Sequence, residues 1–99
     1  MTVPQNQIER KTMKVMFQVE CEDWARWKKA YDAHAPKREG FQKDIFVGHE
    51  AENPNNVLMI CEIPSMEELQ EFMQLPENAS AIADSGAKLE TFKATPLAD

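Results

Sequence analysis

Residues 12–34, TMKVMFQVECEDWARWKKAYDAH, change their hydrophobic period once, and that change decides the fold. From Met13 to Cys21 the chain alternates. Met13, Val15, Phe17, Val19 and Cys21 point one way, and Lys14, Met16, Gln18 and Glu20 point the other. Period two with β-branched and aromatic residues predicts a strand. Asp23 is then a good N-cap, because its carboxylate can accept from the free N–H groups of a first helical turn. At roughly 100° per residue, Trp24, Trp27, Ala30, Tyr31 and His34 fall within about one-third of a helical wheel, which predicts a helix starting at Trp24. Arg26, Lys29 and Asp32 lie off that stripe. Pro36 cannot donate to the carbonyl of Asp32, so the helix kinks or ends near His34, and Gly40 closes the segment.

Outward from this unit, FQKDIFVGHE (41–50) reads as a second strand, AENPNN (51–56) supplies turn residues, and VLMICEI (57–63) is a third strand stopped by Pro64. Ser65 with Glu68 forms a capping box that opens a helix with Met66, Leu69, Phe72 and Met73 as its apolar face. Pro76 breaks that helix, and ENASAIADSG (77–86) offers a second short one ending at Gly86. AKLETFKA (87–94) is the last strand. Residues 12–95 make a single domain, with tails at 1–11 and 96–99. The order βαββαβ predicts an α+β, ferredoxin-like fold: a four-stranded antiparallel sheet with the helices on one face and the first and third strands in the middle.

The third strand carries a second message. Val57, Met59, Cys61 and Ile63 make one face apolar, while Leu58 and Ile60 do the same for the other. A strand hydrophobic on both sides needs both faces covered. Helices on one side of the sheet cover only one, so the other, with Met16, Gln18 and Phe46, calls for a protein surface. The expected partner is a second copy, in a homodimer built sheet against sheet.

Ninety-nine residues with 42% hydrophobic and 28% charged side chains fit one small globular domain. The formal net charge of −6, with Lys and Arg scattered, opposes binding to phosphate backbones and anionic lipid, so no nucleic-acid or membrane partner is expected. No apolar run approaches the roughly 20 residues of a membrane span. MTVPQNQIERK lacks the apolar centre of a signal peptide, and a cytoplasmic location is expected. The sequon Asn78-Ala79-Ser80 is then without consequence. Cys21 and Cys61 are too few and too far apart for a zinc or redox motif, and their places on neighbouring strands are out of register for a disulfide. There is no glycine-rich phosphate loop, HExxH or Ser-His-Asp order.

The pattern W-x-x-W-x-x-x-Y-D-x-H-A-P-x-R-x-x-G from Trp24, then a strand, NPNNV, an apolar strand and M-E-E-L-x-E-F, resembles the dimeric α+β barrel superfamily. Within it, the chain is most similar to the small antibiotic-biosynthesis-monooxygenase-like proteins, from about Met13 to Phe92. The resemblance implies a ligand cavity between sheet and helices in each subunit. It also implies oxygenase or cyclase chemistry on an aromatic or polyketide-like molecule, with no cofactor. His34, His49 and a carboxylate could ligate a metal by their chemistry, but nothing in their spacing supports such a site, so no metal is expected. The positions of Trp24, Trp27, Tyr31, His34 and Arg38 match the pattern. His49 stands where relatives often carry an arginine, and the Asn-Trp-His set associated with haem degradation is absent.

His34 leads the candidates for chemistry, because imidazole can take a proton from a phenol or acidic carbon and return it. Tyr31, one turn earlier, could hydrogen-bond a substrate carbonyl or enolate. Trp24 and Trp27 would wall the cavity, Arg38 would hold an anionic group at its mouth, and His49 and Met16 complete the expected ligand-binding set. The same residues also admit a plain reading: the aromatic stripe is core, His34 caps a helix, His49 is solvated near a turn, and the protein is a non-catalytic dimeric module binding a small apolar or aromatic ligand. Empty space beside His34 separates the two.

Overall fold

The computed structural model describes residues 12–98, so the expected tail at 1–11 lies outside the described residues. Four strands, β1 (Met13–Cys21), β2 (Lys43–Glu50), β3 (Asn53–Ile63) and β4 (Ala87–Leu97), form one antiparallel sheet in the order β2-β3-β1-β4. This is the ferredoxin-like topology, with the first and third strands central. Four helices accompany it: α1 (Trp24–Ala33), α2 (Ala35–Arg38), α3 (Met66–Gln74) and α4 (Pro76–Asp84).

The alternation in β1 is realised directly. Val15, Phe17, Val19 and Cys21 are buried and face Val57, Met59, Cys61 and Ile63, the buried set of β3, together with Trp27 of α1 and Leu69 of α3. Burying an apolar side chain of this size contributes about 1.5–3 kcal/mol each. Cys61 lies opposite Val15, whereas Cys21 lies opposite Ala87. Both cysteines are free and buried, and burial pushes both thiols up from their ordinary range.

The caps hold as the sequence predicts. Asp23 accepts from Arg26 N at 2.9 Å, and Ser65 Oγ accepts from Glu68 N at 3.1 Å. His34 ends α1, and Pro36 sits in the first turn of the short α2. Gly86 follows α4 at φ +82°, a left-handed conformation that β-carbons disfavour. Asn78 is 2% exposed and donates to Phe72 O at 2.7 Å, so the sequon's amide is committed to the α3–α4 junction.

Three boundaries differ from the sequence reading. β2 starts at Lys43, after Phe41 and Gln42 bond back to Arg38 O. β3 starts at Asn53, so only Ala51 and Glu52 turn, and the expected turn residues are extended. Their side chains make the bonds a turn would have made internally: Asn55 receives from Trp24 N and donates to Glu22 O, and Asn56 donates to Glu50 Oε1. β4 runs on to Leu97, which pairs with Lys14. Pro96 is tolerated there because β4 is an edge strand.

Two bulges matter for the site. In β2 the register shifts between Asp44, opposite Cys61, and Phe46, opposite Ile60. The extra residue, Ile45, turns Asp44 toward the helices and Phe46 away from them. In β4 the register shifts between the Gln18–Lys93 and Glu20–Lys88 pairs, and Thr91 Oγ1 closes the gap by accepting from Glu20 N and donating to Lys88 O. The helix-free face carries Met16, Leu58, Ile60 and Phe46, the last 51% exposed. Among the described residues no helix is long and apolar enough to cross a membrane.

Candidate functional site

A half-open cavity of about 110 Å³ lies between the sheet and the helices. Its floor is Phe17, Val19 and Met59 of the central strands, with Ala87, Leu89 and Phe92 from β4. The β4 bulge places Leu89 and Phe92 here, and Phe92 packs against Phe17 with ring centroids 5.5 Å apart. Trp27, Ala30 and Tyr31 of α1, then His34, Arg38 and Gln42, line one side. Leu69, Phe72, Met73, Ala81, Ile82 and Ser85 line the other.

Along α1 the side chains form a continuous stack. Trp24 lies on Trp27 at 5.6 Å, Trp27 on Tyr31 at 4.7 Å, and the Arg38 guanidinium caps the Tyr31 ring 3.5 Å from its centroid. Spacings of three and four residues bring these rings onto one face. His49 closes the far end, edge-on to Trp24 at 4.6 Å. Its Nδ1 lies 2.9 Å from Glu50 O, and a carbonyl only accepts, so that contact needs the proton on Nδ1.

Of the expected site residues, His34, Tyr31, Trp27 and Arg38 line the cavity. Three do not. Trp24 and His49 stand beyond Trp27 in the stack, and His49 points to the helix side of the sheet, not to the face expected to dimerise. Met16 belongs to the helix-free face, opposite Ile60, as the period-two alternation of β1 requires.

The two candidate catalytic groups are in different states. His34 stands edge-on to Phe72 at 6.2 Å, and its Nε2 is buried without a hydrogen-bond partner. The Tyr31 hydroxyl is committed: it donates to Asp44 Oδ1 at 2.9 Å and accepts from Gln42 Nε2 at 2.7 Å. Gln42 Nε2 also reaches Asp44 Oδ1 at 2.9 Å, and the Cys61 thiol donates to the same oxygen at 3.4 Å. Burial, opposed by Arg38 and reinforced by Asp44, holds the Tyr31 phenol well above the usual tyrosine range. Burial, with the Asp44 charge, pushes Cys61 up to about 12. Neither ionises near neutral pH, so Tyr31 offers the cavity a ring and Cys61 offers no nucleophile.

Sequence reasoning missed Asp44 and Gln42, which orient Tyr31, and Phe72 and Phe92 as walls. Phe72 is on the predicted apolar face of α3, so its inward direction was legible. Asp44 was hidden by the bulge at Ile45. Among the described residues no group of three or more His, Cys, Asp or Glu is arranged to hold a metal ion.

No protein-family model and no curated protein matches the chain. Solved structures do. A provisionally assigned monooxygenase from Lactobacillus acidophilus NCFM superposes with a TM-score of 0.66 at 15% identity over 91% of this chain, which spans only 45% of that one. A provisionally assigned antibiotic biosynthesis monooxygenase from Nitrosomonas europaea gives 0.63 at 10% identity, covering 92% of both chains. SnoaB, a cofactor-independent oxygenase from Streptomyces nogalater, gives 0.63 at 6% identity over 89% of this chain and 92% of its own. At these identities the likeness is one of fold, and the chain has the ferredoxin-like α+β fold of the antibiotic-biosynthesis-monooxygenase-like proteins, as the residue pattern implied.

Proposed function

We propose that this protein is a cofactor-independent oxygenase of a single-ring phenolic compound, with His34 as its base. The observation that carries the reading is His34, which lines an apolar cavity walled by aromatic rings and whose Nε2 is buried without a partner, so that a turn of the imidazole is needed to bring it to a guest. A buried polar atom left without a partner costs stability, and a ligand hydroxyl meets that need. The volume narrows the expected aromatic or polyketide-like substrate. A closed dry cavity of about 150 Å³ holds benzene, so the roughly 110 Å³ here holds a single ring only with part of it in the open mouth, and a fused polyketide is too large.

Nε2 accepts the phenol proton, and the resulting phenolate is electron-rich at the carbon para to its oxygen. That carbon bonds to O2, and the hydroperoxide formed there loses water, to which the imidazolium returns its proton. The balance is phenol + O2 → quinone + H2O. The substrate supplies all four electrons, so no other reductant is required. Trp27 and Phe72 would hold the ring in place, and the apolar walls would keep water from the phenolate.

The non-catalytic reading keeps one observation in its favour: with the Tyr31 hydroxyl spent on Asp44, only His34 remains to do chemistry. Oxygen uptake with a panel of monocyclic phenols, for wild type and His34→Ala, separates the two. The oxygenase reading expects one O2 per phenol and a loss of about 10²–10⁴-fold in the variant. Equal rates would remove His34 from the mechanism, and phenols that bind without oxygen uptake would favour the binding module. The helix-free face, with Met16, Leu58, Ile60 and Phe46, supports a homodimer joined sheet to sheet, which leaves the cavity on the opposite side of each sheet.

A further inference from the structure

Arg38 is 7% exposed, lines the cavity, and has little to answer its charge. One of its five N–H groups is used, Nη1 donating to Tyr31 O at 2.9 Å. The face of the guanidinium rests on the Tyr31 ring. No carboxylate lies within 4 Å of it among the described residues, and Oδ1 of Asp44 is taken by Tyr31, Gln42 and Cys61. A buried cation in this state is costly. A cation–π contact offsets part of that cost, but it engages only the flat face. The N–H bonds lie in the guanidinium plane, so stacking leaves them free for an acceptor.

The cavity therefore brings two polar groups to an otherwise apolar wall: the Arg38 fork, whose remaining N–H groups have no acceptor among the described residues, and the imidazole of His34, whose Nε2 is buried without a partner. From these we propose that the guest is a carboxylated phenol, a single-ring aromatic monoanion whose carboxylate pairs with Arg38 while its hydroxyl meets His34. A carboxylate matches the guanidinium fork with two parallel hydrogen bonds, which a neutral amide cannot reproduce. The protein's net charge of −6 does not attract such a ligand at long range, so recognition rests on this one buried cation. The inference rests on the cavity being a ligand site, as proposed above, and not on turnover.

The test compares 3-hydroxybenzoate with its neutral isostere 3-hydroxybenzamide by NMR titration of the wild-type protein. The acid is expected to bind at least about tenfold more tightly, a difference of about 1.4 kcal/mol. Arg38→Gln should erase the preference while still binding the amide. Arg38→Lys, which keeps the charge but loses the fork, should bind the acid more weakly than wild type and still more tightly than the amide. Equal wild-type affinity for both ligands would overturn the anion assignment and leave the cavity reading standing. Binding of neither at millimolar concentration would overturn both. A preference for the acid that survives in a folded Arg38→Gln protein would show that the carboxylate is held elsewhere and would overturn the role of Arg38. If Arg38→Gln fails to fold, the wild-type comparison and the Lys variant decide the matter.

Discussion

Replacing Phe46 with lysine tests the use of the helix-free face most sharply. Phe46 is 51% exposed, and its ring lies along the sheet over Gly48, where an added β-carbon would meet Phe46 Cζ at 2.6 Å. A phenylalanine side chain offers roughly 200 Å², so about 100 Å² of ring remains to be covered in each copy. At about 25 cal/mol per Å² this is about 2.5 kcal/mol per protomer, or about 5 kcal/mol per symmetric dimer. That figure is an upper bound, because association also orders side chains and strips water from polar neighbours such as Gln18. Four strands about 4.8 Å apart and roughly 30 Å long present a face of about 600 Å², near the ~800 Å² per partner of a stable interface. Light scattering after size exclusion should give a wild-type dimer at micromolar concentration. Phe46→Lys should be a monomer, its dissociation constant raised by up to about three and a half orders of magnitude. Monomer stability should hardly change, since the ring supports no core. A wild-type protein that stays monomeric throughout the micromolar range, or a Phe46→Lys protein that dimerises equally well, would refute the reasoning.

The Cys61 thiol makes stability fall in alkali. Its folded value, about 12, lies above the ordinary thiol range, so its contribution is complete at neutral pH and declines as pH climbs toward that value. One pH unit above the ordinary thiol value its share of the loss is about 1.4 kcal/mol; urea denaturation from pH 7 to 10 should show a fall that Cys61→Ser reduces by about that amount, the remainder belonging to the other raised groups, Cys21 and Tyr31. The bond from Tyr31 to Asp44 should give a coupling of about 0.5–1 kcal/mol in a Tyr31→Phe, Asp44→Asn double-mutant cycle, kept small by the exposure of Asp44. Zero coupling would mean that Gln42 alone orients the ring. Ser65→Ala should cost about 1 kcal/mol through loss of the α3 cap, read as a lower urea midpoint, with Ser65→Asp restoring it.

Patterns that repeat along one element were legible in the sequence. The period-two run of β1, the Asp23 and Ser65 caps and the helical spacing of Trp24, Trp27, Tyr31 and His34 all depend on neighbours within about one turn or one strand. The stack follows from that spacing, and so does the place of His34 at the end of α1, where Pro36 follows. Asn53 to Asn56 have turn-forming side chains yet are extended, because such side chains also serve an extended chain when their amides find partners elsewhere, as Asn55 does at Glu22 and Trp24. Trp24 lies beyond the cavity although it shares the apolar stripe, because a helical wheel gives direction around the axis but not position along it; His49, expected at the ligand from the resemblance, stands on β2 beside Trp24.

The parts of the site that stayed hidden all depend on irregular strand pairing. A uniform alternation through β2 puts Asp44 and Phe46 on the same face. The extra residue at Ile45 separates them, so that one carboxylate reaches Tyr31 while one ring reaches the helix-free face. In β4 the residues between Lys88 and Lys93 leave the ladder, with Thr91 standing in for a backbone partner, and that departure brings Leu89 and Phe92 to the cavity. The two bulges therefore divide the work of the fold. One commits the Tyr31 hydroxyl, which leaves His34 and Arg38 as the polar side chains open to a guest in the cavity. The other brings Leu89 and Phe92 into the lining of that cavity, so that its polar groups stand in an otherwise apolar surround.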